Sequence, residues 1–122
     1  MTDTRSRPQP PRAIEPHAID LAQRRMLGPA AEREATRVLN VVCDLARFKI
    51  LRALQATPLA ASDLARIIGK TRSATSQHLR VLREVDAVRS ERRGNIVRYR
   101  LNGSTVADVL MGIIDAFDRL AA

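Results

Sequence analysis

Residues 61–101 read ASDLARIIGKTRSATSQHLRVLREVDAVRSERRGNIVRYRL, and a change of period inside this stretch decides the fold. Leu64, Ala65, Ile67 and Ile68 recur at helical spacing and are closed by Gly69. Thr71 is an N-cap residue type for a second helix from Arg72 to Glu84, with Leu79 and Leu82 on its buried side and Thr75 at the preceding turn. The period then becomes two: Val97, Tyr99 and Leu101 alternate with Arg98 and Arg100. Gly94-Asn95 is a hairpin turn joining this strand to one over 88–92. Helix, glycine turn, helix and basic hairpin, in that order, make a winged helix-turn-helix. The expected class is mainly α with a two-stranded β wing, with five or six helices in all.

Downstream, Thr105-Val106-Ala107-Asp108 has the form of a capping box and opens a helix to Leu120. Its stripe is longer than a small domain needs for its own core, so Val106, Val109, Leu110, Ile113, Ile114 and Phe117 are assigned to pairing with a second copy. Asp115 and Asp118 are read as its solvated face. Upstream, Asp44 caps a helix whose Phe48, Ile50, Leu51 and Leu54 point inward, ended by Thr57-Pro58. Before it lies a helix from Ala30 to Val42 with Ala35, Val38, Leu39 and Val42 apolar, and a short helix over 16–27, separated by Gly28-Pro29. Residues 1–14 read as a disordered basic, proline-rich arm, and 15–122 as the winged domain with dimerisation helices at both ends.

Charge locates the partner. Net charge is +8, and the 70–100 segment holds nine cations against three acids. A basic domain of this size points to a polyanion. On the Arg72–Glu84 helix, Arg72, Ser73, Ser76, Gln77, Arg80 and Arg83 lie opposite the buried set. Gln pairs with adenine, Arg with guanine, and Ser with base edges or phosphate. The early residues are the base-reading candidates, since that part of such a helix sits deepest in the major groove. Arg80 and Arg83 suit phosphate. At the hairpin tip, Arg92, Arg93 and Asn95 are placed to touch phosphate or enter the minor groove. Arg98 and Arg100, alternating with buried residues, are read instead as charges protecting an edge strand.

Cys43 is the single cysteine, so no intrachain disulfide forms. Beside Val41, Val42 and Leu45 it reads as a buried small hydrophobe with a raised pKa. The alternative is a thiol sensor, activated by Arg47 one helical turn away. His78 reads as a packing residue rather than a metal ligand. Nothing in the chain pairs a nucleophile with a base and an orienting group, so an enzyme is not expected. No apolar run has membrane-spanning length and no secretory pattern opens the chain, so a cytoplasmic protein without cofactor is the expectation.

Residues 35–120 resemble the ArsR/SmtB family of bacterial winged-helix repressors. The resemblance rests on the 42–51 stretch VCDLARFKIL, on Ser62-Asp63-Leu64-Ala65, on SATSQHLRVL over 73–82, and on GNIVRYRL over 94–101. It implies a homodimer paired through its terminal helices, binding an inverted repeat in double-stranded DNA and released by a chemical signal. The family's sensing positions are changed. No thiol stands in Leu59-Ala60-Ala61-Ser62, and the positions matching its metal ligands are Gly103, Thr105, Ala116 and Arg119, so no metal is expected. Two alternatives stand beside the repressor reading: the same architecture sensing an oxidant or soft metal through Cys43, and a winged-helix module for protein contacts.

Overall fold

A computed structural model describes residues 8–121, so positions 1–7 of the expected arm lie outside the described residues. The chain divides into two compact units at Glu32/Arg33. In the first, residues 8–14 form neither helix nor strand, and α1 (Pro16–Gln23) follows with Pro16 in its opening turn and no residue buried. An exposed Arg24–Asp20 pair at 2.9 Å spans one turn at its end. α2 (Pro29–Val42) starts in this unit and has most of its length in the second.

The second unit holds α3 (Leu45–Ala56), β1 (Leu59–Ala60), α4 (Ala61–Ile68), α5 (Arg72–Glu84), β2 (Val88–Arg93), β3 (Ile96–Leu101) and α6 (Thr105–Ala121). Its core is aliphatic: Ile50, Leu51, Leu64, Leu79, Leu82, Leu110 and Ile114 are all but sealed from solvent. Each such side chain contributes about 1.5–3 kcal/mol through its removal from water.

The helix boundaries follow local chemistry. Asp44 caps α3 by accepting from the Arg47 N–H at 3.1 Å. Thr71 caps α5 by accepting from the Ala74 N–H at 3.0 Å. Gly69 ends α4 at φ 69°, a left-handed conformation that favours glycine. The end of α5 is less orthodox. Asp86 takes φ 59°, the Ala87 N–H reaches the Leu82 carbonyl at 2.9 Å and the Asp86 N–H the Arg83 carbonyl at 3.0 Å, the bonding of a Schellman motif with Asp in the glycine position. Arg37 on α2 donates to the Glu84 carbonyl at 3.0 Å, placing a cation at the negative end of the same helix.

Several expectations need correction. The wing belongs to a three-stranded antiparallel sheet in the order β1-β3-β2, because Leu59-Ala60 pairs with Tyr99-Arg98. β3 is therefore the middle strand, and edge protection does not account for Arg98, which pairs with Ala60. The cap of α6 is Ser104, whose Oγ accepts from the Ala107 N–H at 3.1 Å, one residue ahead of the expected position. Ile67 and Leu39 are exposed rather than inward. Asp115 and Asp118 are exposed, as expected of a solvated face, and each also has a partner on α3: Arg52 pairs with Asp118, and Gln55 reaches Asp115 at 3.4 Å. Phe48 is only half-buried and meets Phe117 edge-to-face, with centroids 5.3 Å apart. Among the described residues, no helix is long and apolar enough to cross a membrane.

Partial burial pushes the Asp44 carboxyl up, but the Arg47 N–H and the charges of His78 and Arg47 outweigh it and hold the carboxyl below its ordinary value. Asp44→Ala is expected to lower stability by about 1 kcal/mol at neutral pH, and Asp44→Asn by less. A depressed folded pKa means that the electrostatic part is complete above the unfolded pKa and vanishes as pH falls through the folded one. The gap between wild type and Asp44→Asn should therefore close in acid. Urea titrations of the three proteins at both pH values measure this, and equal stability of wild type and Asp44→Ala at neutral pH would remove the cap from the account.

Candidate nucleic-acid interface

α5 turns Thr75, Leu79 and Leu82 inward. Thr75 is fully buried without penalty because its Oγ1 donates to the Thr71 carbonyl at 2.8 Å. With that side fixed, Arg72, Ser73, Ser76, Gln77, Arg80 and Arg83 are all exposed. Residues 72, 73, 76 and 77 form no ion pair or hydrogen bond through their side chains with other described residues, so their donors and acceptors are available. Arg80 differs: its Nε lies 3.5 Å from Glu84 Oε1, an exposed pair one turn apart.

A groove of about 480 Å³ separates the first turns of α4 and α5 from β3. Arg72 and Ser76 line one wall, Asn95, Val97 and Arg98 the other, with Ser62 and Asp63 at the start of α4. The groove thus joins the N-terminal half of α5 to the wing. Ser62, Asp63 and Arg98 were not among the sequence candidates. Ser62 and Asp63 reach the recognition helix through the packing of α4 on α5, and Arg98 through its pairing with Ala60 at the start of α4.

The three wing-tip residues separate. β2 and β3 pair from Val88↔Leu101 to Arg93↔Ile96, and Gly94 takes φ 62°, as the first residue of a type II′ turn requires. Arg92 turns back on that loop, its Nε donating to the Gly94 carbonyl at 3.1 Å. Asn95 lines the groove, whereas Arg93 lines a different hollow on the outer side of the sheet.

α6 splits its stripe into two adjacent rows. Val106, Leu110 and Ile114 are buried in the chain's own core, so these three are not free to meet a partner. Val109 and Phe117 are about half exposed and Ile113 partly so, one i,i+4 row beside the first. Leu120 extends that row at 78% exposure.

Cys43 is exposed, which corrects the expectation of a buried thiol. Its helix ends there, with Cys43 N–H bonded to the Leu39 carbonyl, and α3 turns away only after Asp44. The thiol borders a hollow of about 400 Å³ lined also by Asp44, Lys49, Ile68, Lys70 and His78. Arg47 is not part of it; its guanidinium is directed to the Asn40 carbonyl at 3.4 Å. His78 Nδ1 stands 4.0 Å from Asp44 Oδ2, so it neighbours the α3 cap. Among the described residues, no three His, Cys, Asp or Glu side chains gather as metal ligands do.

Residues 42–90 match the model of the family "Bacterial regulatory protein, arsR family". The chain is 36% identical over 84 residues to the HTH-type transcriptional regulator NmtR of Mycobacterium tuberculosis, covering 69% of this chain and 70% of that one. It is 24% identical over 82 residues to the transcriptional repressor SdpR of Bacillus subtilis, covering 67% and 91%. The structure of HlyU from Vibrio cholerae N16961 superposes with a TM-score of 0.66 at 27% identity, over 76% of this chain and 97% of HlyU.

The exposure of Cys43 has a direct check. The folded protein should titrate one thiol per chain with a water-soluble aromatic disulfide, without denaturant. A thiol that reacted only on unfolding would contradict the exposure found here.

Proposed function

The chain belongs to the ArsR family of bacterial regulatory proteins, and from that membership we propose that it works as a homodimeric repressor reading an inverted repeat in duplex DNA. It is a DNA-binding transcriptional regulator of winged helix-turn-helix fold. The relatives reported are regulators of transcription rather than enzymes.

One observation carries the reading of the site: the exposed polar row on α5 opens onto the groove that leads to the wing. Inserted in a major groove, such a row puts Arg72, Ser73, Ser76 and Gln77 nearest the base edges. Arg80 and Arg83, a turn or more further on, come to the phosphates, Arg80 exchanging Glu84 for them. Arg92, Arg93 and Asn95 hold the adjoining backbone. Two copies related by a two-fold axis address two half-sites about one helical turn apart. The α6 row Val109, Ile113 and Phe117 supplies the contact between them, since it stays uncovered in the single chain.

Selection from a random duplex pool tests the reading. An imperfect palindrome should be enriched, with affinity falling steeply as salt rises. Absence of any enriched sequence, with binding indifferent to salt, would defeat it. On the selected duplex, Gln77→Ala should cost about 1–3 kcal/mol and relax the preference at one base position. Arg92→Ala with Arg93→Ala should weaken all sequences alike and flatten the salt dependence. Altered base preference from the wing pair, with none from Gln77, would reverse the two roles.

Ile113→Asp should give monomers by analytical ultracentrifugation and weaken operator binding sharply. A folded Ile113→Asp dimer of normal affinity would remove α6 from the interface.

The exposed thiol favours a second reading, in which the same repressor senses an oxidant or soft metal through Cys43. Operator binding by wild type and Cys43→Ser, each with zinc, arsenite or peroxide, decides it. Release that requires Cys43 carries the sensor; release by none of the three leaves the thiol without that role.

A further inference from the structure

The outer face of the wing carries charge that neither the fold nor the recognition helix accounts for. In register, Arg89 stands opposite Arg100 and Glu91 opposite Arg98. Alternation puts these four on one face together with Arg93, while Val88, Tyr99 and Leu101 serve the core from the other. Two arginines directly opposed cost a hairpin stability. Two of the four lie on β3, the middle strand, where Arg98 is paired on both sides, with Ala60 and with Glu91. A single carboxylate offsets them: Glu91 Oε1 accepts from Arg100 Nη1 at 2.9 Å and lies 3.6 Å from Arg89 Nη2. The Arg100 hydrogen bond holds the Glu91 carboxyl below its ordinary range, so this counter-charge is present at neutral pH. Four guanidiniums less one carboxylate leave the face at +3. A hollow of about 440 Å³ opens among Pro58, Glu91, Arg93, Arg98 and Arg100.

We propose that this face is a second phosphate-binding surface, which grips the backbone of the duplex flanking the palindrome, and that Glu91 limits its hold. The proposal rests on the DNA reading above. Guanidinium forks match phosphate oxygens in pairs. From Arg93 back to Arg89 the row runs about 13 Å at the strand rise. That spans about four base-pair steps of duplex, beyond what the tip alone reaches. Arg98 lines both the α5 groove and the outer hollow, so the backbone can pass from one to the other.

The test compares the selected palindrome as a minimal duplex with the same palindrome carrying added flanks on both sides. Wild type should bind the extended duplex about tenfold more tightly at moderate salt, with a steeper salt slope. Arg89→Ala with Arg100→Ala should keep the affinity for the minimal duplex and lose the gain from the flanks, the slope falling by about 0.9 for each contact removed. Glu91→Gln should enlarge that gain, an outcome that no folding defect produces. No gain in wild type, or a gain that Glu91→Gln leaves unchanged, overturns the proposal. If the double arginine variant weakens both duplexes alike, the Glu91→Gln result decides. Displacement of the flanks by micromolar inorganic triphosphate would assign the face to a small polyanion and overturn it too. A wild-type protein that fails on the minimal duplex removes the DNA reading beneath it, which is a different failure.

Discussion

The burial of Thr75, Leu79 and Leu82 sets the rotation of α5, and what the molecule presents to a partner follows from that rotation. Leu79 and Leu82 join Ile50, Leu51, Leu54, Leu64 and Ile68 in one aliphatic cluster. Turning α5 about its axis would expose these leucines, at about 1.5–3 kcal/mol each, and would strand the Thr75 hydroxyl from its carbonyl. The polar row is therefore held in place by the residues it does not contain. Both ends of the helix are also pinned, by Thr71 at the start and by the Schellman bonds and Arg37 at the finish. A reading helix needs this rigidity, because a small rotation moves every side chain off its base edge.

α6 illustrates how one apolar stripe can serve two purposes. Its inner row completes the core, and its neighbouring row stays partly uncovered. Polar contacts add a second tie to α3: the Arg52–Asp118 pair, Gln55 with Asp115 and the Met111 sulfur, and the Phe48–Phe117 edge contact with Arg52 6.0 Å from the Phe48 ring. The ion pair is about half exposed on each side and contributes little by itself. As a set, these contacts set the orientation of α6 on α3. Any second copy docked on the outer row would thereby be aligned with the helix-turn-helix.

The wing shows how a charge pattern changes meaning with strand order. Alternating arginines on an edge strand are a guard against pairing; the same arginines on a central strand line a surface. The two-residue strand Leu59-Ala60 makes that difference, and so short a segment carries no periodicity to announce itself.

Period, caps and turn residues were legible from the chain by itself because they act within a few residues. Helical spacing over 72–84, alternation over 96–101, Thr71, Asp44, Gly69 and Gly94-Asn95 each specify a local geometry that the structure repeats. The exposed face of α5 was legible for the same reason, since its buried side was. What lay between distant segments was not. The pairing of β1 with β3, the division of α6 into two rows, the partners of Asp115 and Asp118, and the exposure of Cys43 and Ile67 depend on which surfaces meet in three dimensions. An apolar neighbourhood in sequence hides a side chain only if another element packs over it, and that is decided by the tertiary fold.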